Sequence, residues 1–185
     1  MRVWLAIVAA TALLPVMAQQ VQVTAVRQLP AGVVIDAPAD STVWVEGRRV
    51  HVVVDGAERV FSPVESRAGY LWPAVSPDRR RVAFYAAGRG IVIIDLRGQL
   101  LAMPGDYEMP CWYDNDHLVA REAAYDGLRL ATSRIVLLKA DGSWHEALTA
   151  PSASMLSPCC RDGRVLYTDS ADGTCHEITL TIYDE

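Results

Sequence analysis

Four stretches of the chain gather apolar residues over strand-sized lengths, three of them closing on a turn. They are RRVHVVVDG ending at Gly56, GIVIIDLRG ending at Gly98, SRIVLLKADG ending at Gly142, and HEITLTIYDE at the C-terminus. The three glycines stand 42 and 44 residues apart, and the fourth run stops 43 residues after Gly142. A period of about 40–45 residues with several strands in each unit is the pattern of propeller blades.

A second landmark precedes these runs and keeps its own register. WPAVSPDRRRVAF and MPCWYDNDHLVAR align at an offset of 37, with Pro73 over Pro110, Val75 over Trp112, and Val82-Ala83 over Val119-Ala120. A third copy, SPCCRDGRVLY, fits with a one-residue deletion. In each, a short apolar strand meets a polar turn and a second strand follows, as in two adjacent antiparallel strands.

The repeats then divide into strands. Blade 1 takes Val33–Ala37, Thr42–Glu46, Arg49–Val54 and Arg59–Val64. Blade 2 takes Leu71–Ser76, Arg81–Tyr85, Gly90–Asp95 and Gln99–Met103. Blade 3 takes Met109–Tyr113, His117–Glu122, Ser133–Lys139 and Trp144–Leu148. The last repeat supplies only Ala153–Cys159, Arg164–Thr168 and Glu177–Tyr183 before the chain ends. VQVTAVRQL is left over near the N-terminus, with Val21, Val23 and Ala25 alternating with polar residues. That period-2 pattern is a half-buried strand. Laid outside the last repeat, it covers an exposed edge and closes a ring.

The expected fold is therefore all-β, a four-bladed β-propeller whose last blade is closed by the N-terminal strand. Half of a larger ring, completed by a homodimer, is the alternative. PAVSPDRRRVAFYAAGRGIVIIDLRG resembles the TolB-type propeller repeat, in which a Ser-Pro-Asp-Gly turn, an apolar-Ala-Phe strand and an Asp-x-x-Gly turn follow one another. Arg79 stands where that motif has glycine. The resemblance implies a fold and a protein partner in the cell envelope, and no activity.

The first residues change the compartment. Met1-Arg2 is followed by an apolar run from Val3 to Val16, broken by Thr11 and Pro15, and then by Met17-Ala18-Gln19. One positive charge, an apolar core too short for a bilayer span and small residues near the end describe a secretory signal over 1–18, cleaved after Ala18. The propeller domain then occupies 19–185, with no membrane span after cleavage and a periplasmic or secreted location. That portion carries 16 basic and 22 acidic residues, which argues against nucleic acid as a partner.

Four cysteines, Cys111, Cys159, Cys160 and Cys175, would reach an oxidising compartment. With Cys159 placed over Trp112, Cys159 lies out of phase with Cys111. Side chains alternate along a strand, so neighbouring blades meet through opposite parities. A Cys111–Cys159 bridge is the expected disulfide, with Cys160 and Cys175 left as thiols.

No G-x-S-x-G nucleophile elbow occurs, and the histidines His51, His117, His145 and His176 share no spacing. Asp114, Asp116 and His117 crowd one turn, but such residues serve hairpin ends through local hydrogen bonds. No catalytic residue, cofactor or metal site is therefore assigned. Trp112 matches the motif tryptophan and should pack between blades. Tyr70, Tyr107 and Tyr125 fall in connections that open on one face, and blade 3 carries an excursion, EAAYDGLRLATS, from Glu122 to Ser133. Insertions in repeat proteins map to one face, often the binding face. Tyr70, Tyr107, Glu108, Tyr125, Asp126 and Arg129 form the expected contact patch. The functional expectation is an exported scaffold that binds a protein partner and is not an enzyme. The alternative is a small hydrolase or lyase with a site at the channel mouth.

Overall fold

The computed structural model describes residues 20–31, 33 and 42–183. The signal segment and, apart from Val33, the expected first strand of blade 1 lie outside the described residues. Within them all helical or strand structure is strand, arranged in four antiparallel sheets. β1 (Gln20–Gln28) comes first. The first sheet holds β2 (Val43–Glu46), β3 (Arg49–Val54) and β4 (Ala57–Phe61). The second runs β5 (Tyr70–Val75), β6 (Arg81–Ala86), β7 (Gly90–Asp95) and β8 (Leu100–Gly105) in sequential order. The third runs β9 (Glu108–Trp112), β10 (His117–Asp126), β11 (Arg129–Lys139) and β12 (His145–Ala147). The fourth holds β13 (Leu156–Arg161), β14 (Arg164–Asp169) and β15 (Cys175–Tyr183), with β1 added outside β15.

The sheets pack in a repeating way. β5, β9 and β13 lie side by side, while β6 packs on β9 and β10 on β13. β2 packs on β5 in the same manner, so β2 holds the second-strand position of its unit. One apolar cluster fills each junction. Val82, Phe84, Val92 and Ile94 of the second sheet meet Val43, Val50 and Val52 of the first. Ala83, Ile91 and Ile93, on the opposite face, meet Trp112, Leu118, Val136 and Leu138. Val119, Ile135 and Leu137 then meet Leu156, Val165 and Ile178. Strand alternation puts odd and even residues of each middle sheet against different neighbours, so every sheet there is buried on both faces. At about 1.5–3 kcal/mol for each fully buried aliphatic side chain, these junctions supply most of the attraction between sheets.

Trp112 is the polar-tipped member of the second junction. Its ring is buried, and its Nε1 donates to the Ala74 carbonyl at 3.0 Å across the sheet boundary. Trp112→Phe keeps the ring and removes the donor, leaving that carbonyl short of a partner. The expected loss is about 1–2 kcal/mol in urea unfolding, with the unfolding slope unchanged.

Turns of consecutive units also interlock at a fixed step. The Arg79 guanidinium donates to Thr42 Oγ1 at 2.9 Å, and the Asp78 amide donates to Asn115 Oδ1 at 2.9 Å. Both pairs are separated by 37 residues. Arg79 adopts φ 57°, so an arginine holds the left-handed conformation for which the TolB-type motif uses glycine. Such a residue costs roughly 1–2 kcal/mol, which the Thr42 contact partly offsets.

Two sequence expectations change here. The excursion from Glu122 to Ser133 is not a loop; it lengthens β10 and β11 into a two-stranded ribbon. Its tip is a two-residue turn between paired Asp126 and Arg129, with Gly127 at φ 61° in the first central position, where a hairpin turn favours glycine. In β1, a bulge at Thr24 separates Val23 from Ala25, so Val21 and Val23 face the core while Ala25 is exposed. A one-residue bulge reverses the facing of all that follows.

Candidate functional site

The inner strands β5 and β9 are kinked at equivalent places. Trp72 and Met109, 37 residues apart, have φ 50° and 54°, and each precedes a proline. A residue before proline ordinarily stays extended, so both positions carry backbone strain. The pairing register also shifts at both places, between Leu71 and Ala74 on β5 and opposite Val119–Arg121 on β9. Trp72 and Met109 line a cavity of about 800 Å³ between β5, β9 and β13. Its wall continues through Cys111, Pro158 and Cys160 to Arg79 and Arg161 at the turn end.

An ion pair sits beside the kink of β9. Arg121 is 3% exposed at its side chain and Glu108 14%; Arg121 Nη2 and Nε reach Glu108 Oε2 at 2.6 and 3.0 Å. The Tyr125 hydroxyl donates to the same carboxylate at 3.1 Å, and the Arg121 guanidinium lies 6.0 Å from the Trp72 ring centre. Trp72 in turn tilts against Tyr85 at 5.5 Å. Burial, reinforced by the Glu108 charge, raises the Tyr85 and Tyr125 phenols above their ordinary pKa, so both remain protonated donors. Arg121 Nη1 is buried and makes no hydrogen bond. The result is an aromatic collar around a desolvated Arg–Glu pair, at the root of the ribbon.

The ribbon beyond Arg121 has no flanking strand from β9, because Arg121–Glu108 is the last pair of that ladder. On it Tyr125, Asp126 and Arg129 are exposed, and Leu128 at the tip is fully so. Of the expected patch, Glu108 and Tyr125 meet directly, while Asp126 and Arg129 stand at the tip. Tyr70 does not belong: it is 2% exposed in the first junction, with its hydroxyl bonded to Val64. Tyr107 packs against the second junction near His145, away from the collar's hydrogen bonds. Trp72, Tyr85 and Arg121 were not expected. Glu108 pairs with Arg121 as Leu71 pairs with Tyr85, so by strand register the ion pair takes the places of Leu71 and Tyr85, and the 37-residue offset slips by one in the turn between the two strands.

The cysteine expectation is corrected. Cys111 Sγ lies 2.9 Å from Cys160 Sγ, and Cys159 is one residue away on the other side of β13, opposite Leu166. Pro158 occupies the position of Pro110, so Cys160 replaces Trp112, and the deletion falls in the following turn. Cys175 lies on β15 beside Thr168. Asp114 Oδ1 accepts the amides of Asp116 and His117 at 2.7 Å, and the carboxylate meets His117 Nδ1 at 2.9 Å, so this acid is engaged in shaping its hairpin end.

Across the described residues these features define an all-β protein of four antiparallel sheets. No protein-family model matches the sequence, and no curated protein matches it. Among solved structures it is similar to a candidate TolB protein from Agrobacterium tumefaciens, at 13% identity and a TM-score of 0.41, over 74% of this chain and 70% of that one.

Proposed function

We propose that the chain is an exported four-bladed β-propeller that binds a protein partner through the ribbon and the collar at its root, in the periplasm or outside the cell. The observation that carries this reading is the ribbon. A pair of strands extending beyond their own sheet, with Leu128 fully exposed and Tyr125 half exposed, presents apolar surface at a place that packing does not require. The rigid collar beneath it limits the ordering cost of binding, and tyrosine, tryptophan and arginine are the side chains that most often anchor protein interfaces. The secretory pattern of residues 1–18 supports the compartment, and the TolB-type motif of the second repeat supports the blade assignment.

A photo-crosslinking residue at position 128, compared with one at Ser143 in the β11–β12 turn at the other end of the same sheet, tests the reading in intact cells. A discrete adduct from position 128 alone is expected, lost when Tyr125→Ala or Arg129→Glu is added. Equal labelling from both positions, or none, overturns it.

A further inference from the structure

We infer that Cys111 and Cys160 are a redox pair, a dithiol that oxidises to a disulfide stapling the third sheet to the fourth across the cavity wall. This inference is independent of the partner-binding reading. The two thiols come from inner strands of different sheets, 49 residues apart in sequence, and their sulfurs are in contact at 2.9 Å. Each occupies its place for packing reasons: Cys111 and Cys160 both border the apolar cluster between the third and fourth sheets. Forming the bond requires the sulfurs to close by about 0.9 Å, within reach of small side-chain torsions. Both line the cavity as well. A volume of about 800 Å³ suits a small-molecule reactant, so the natural oxidant is a small organic disulfide.

The Cys160 thiolate attacks the small disulfide, forms a mixed disulfide and expels one thiolate. Cys111 then loses its proton to solvent or to that thiolate and attacks the Cys160 sulfur, expelling the second. The two protein thiols give up two electrons and two protons, and one disulfide becomes two thiols. The order follows from the surroundings: burial, and then contact with Cys160, raises the Cys111 thiol well above the usual cysteine range, which leaves it protonated until the second step. Cys159 and Cys175 provide internal controls, one on the opposite side of β13 and one on β15.

The test uses the purified full chain, fully reduced, then incubated with oxidised glutathione and blocked with a maleimide before non-reducing peptide mapping. A single Cys111–Cys160 cross-linked peptide is expected, with two of the four thiols lost to labelling. Closing a loop of this length should raise the melting temperature by about 10 °C, reversibly with dithiothreitol. Cys159→Ser should keep the rise, and Cys160→Ser should abolish it. Full maleimide labelling of Cys111 after oxidation, a link from Cys111 to Cys159 or Cys175, or an undiminished rise in Cys160→Ser overturns the inference. The wild-type oxidised and reduced forms supply the decisive comparison even where a variant fails to fold.

Discussion

Glu108→Ala will destabilise the protein by about 3–5 kcal/mol, while Glu108→Leu combined with Arg121→Phe will return it to within about 1 kcal/mol of the original or above it. The asymmetry comes from burial. Removing the carboxylate leaves the Arg121 guanidinium in a nearly dry site, already with Nη1 unbonded and only Trp72 beneath it. Leu71 and Tyr85 are the cross-strand pair that the second sheet holds at these places, and leucine with phenylalanine reproduces it without the phenol. Tyr85 is half-buried there against Trp72, so the scaffold accommodates an aromatic ring at this step. Arg121→Ala alone should cost less than Glu108→Ala, because Glu108 is partly exposed and keeps the Tyr125 hydroxyl. Urea unfolding of the parent, Glu108→Leu, Arg121→Phe and the double variant gives the coupling energy directly. Additive losses in the double variant would show that the pair does not act as a unit. The cycle also separates stability from binding. A restored fold that no longer gives the position-128 adduct would place the charged pair in recognition.

Where the second sheet pairs Leu71 with Tyr85, the third pairs Glu108 with Arg121. A buried pair contributes little net stability, since desolvation of both charges offsets their attraction. It does fix geometry. Glu108 is held by Arg121 from one side and receives the Tyr125 hydroxyl from the other, which orients the root of the ribbon. The strained Met109 next to it bends β9 at the same point.

Local pattern carried much of this architecture. Period-2 alternation and Asp-Gly turns located most strands to within a few residues, and the orphan N-terminal segment had a partner edge waiting in the three-strand last repeat. The failures occurred where one residue changes the answer. Cys159 and Cys160 are adjacent, so their facing depends on whether the missing residue lies before or after Pro158, and alternation alone does not decide that. The ribbon looked like a loop because its alanines, Ala123, Ala124 and Ala131, carry little apolar signal, yet its ladder needs only backbone bonds. Arg121 was overlooked because a charged residue in a strand reads as surface, and the 37-residue offset sets it against Phe84 whereas the strand register sets it against Tyr85. Tyr70 shows the reverse error, a residue at a connection that turns inward to fill a junction.

Deleting residues 20–29 will lower the melting temperature by 10 °C or more and cut the folded yield. β1 pairs with β15 from Gln20–Tyr183 to Gln28–His176, so its removal strips one whole side of a nine-residue strand. Val21 and Val23 also border the apolar cluster that joins the third and fourth sheets, and the deletion would open that cluster to water. The bare edge of β15 then becomes a template for pairing with another chain, which predicts oligomers as well as instability. Val21→Asp with Val23→Asp keeps the backbone ladder and attacks only the apolar contact. At about 1–3 kcal/mol for each polar group buried there, and about 2–4 °C per kcal/mol for a chain of this size, it should lower the midpoint by about 5–15 °C without dimerisation. The far end of β1 has a different anchor. Arg27 donates to Glu177 at 2.9 Å, and this bond holds the Glu177 carboxyl below the ordinary carboxylate range. A depressed folded-state pKa gives stability that is present above the unfolded value and lost as pH falls through the folded one. Arg27→Ala should therefore narrow the difference in stability between neutral and acidic solution. Differential scanning calorimetry of all three beside the parent, at pH 7 and at a pH below the carboxylate range, measures both effects. An unaltered melting temperature after the deletion would mean that β15 needs no partner, and the N-terminal strand would lose its place in the fold.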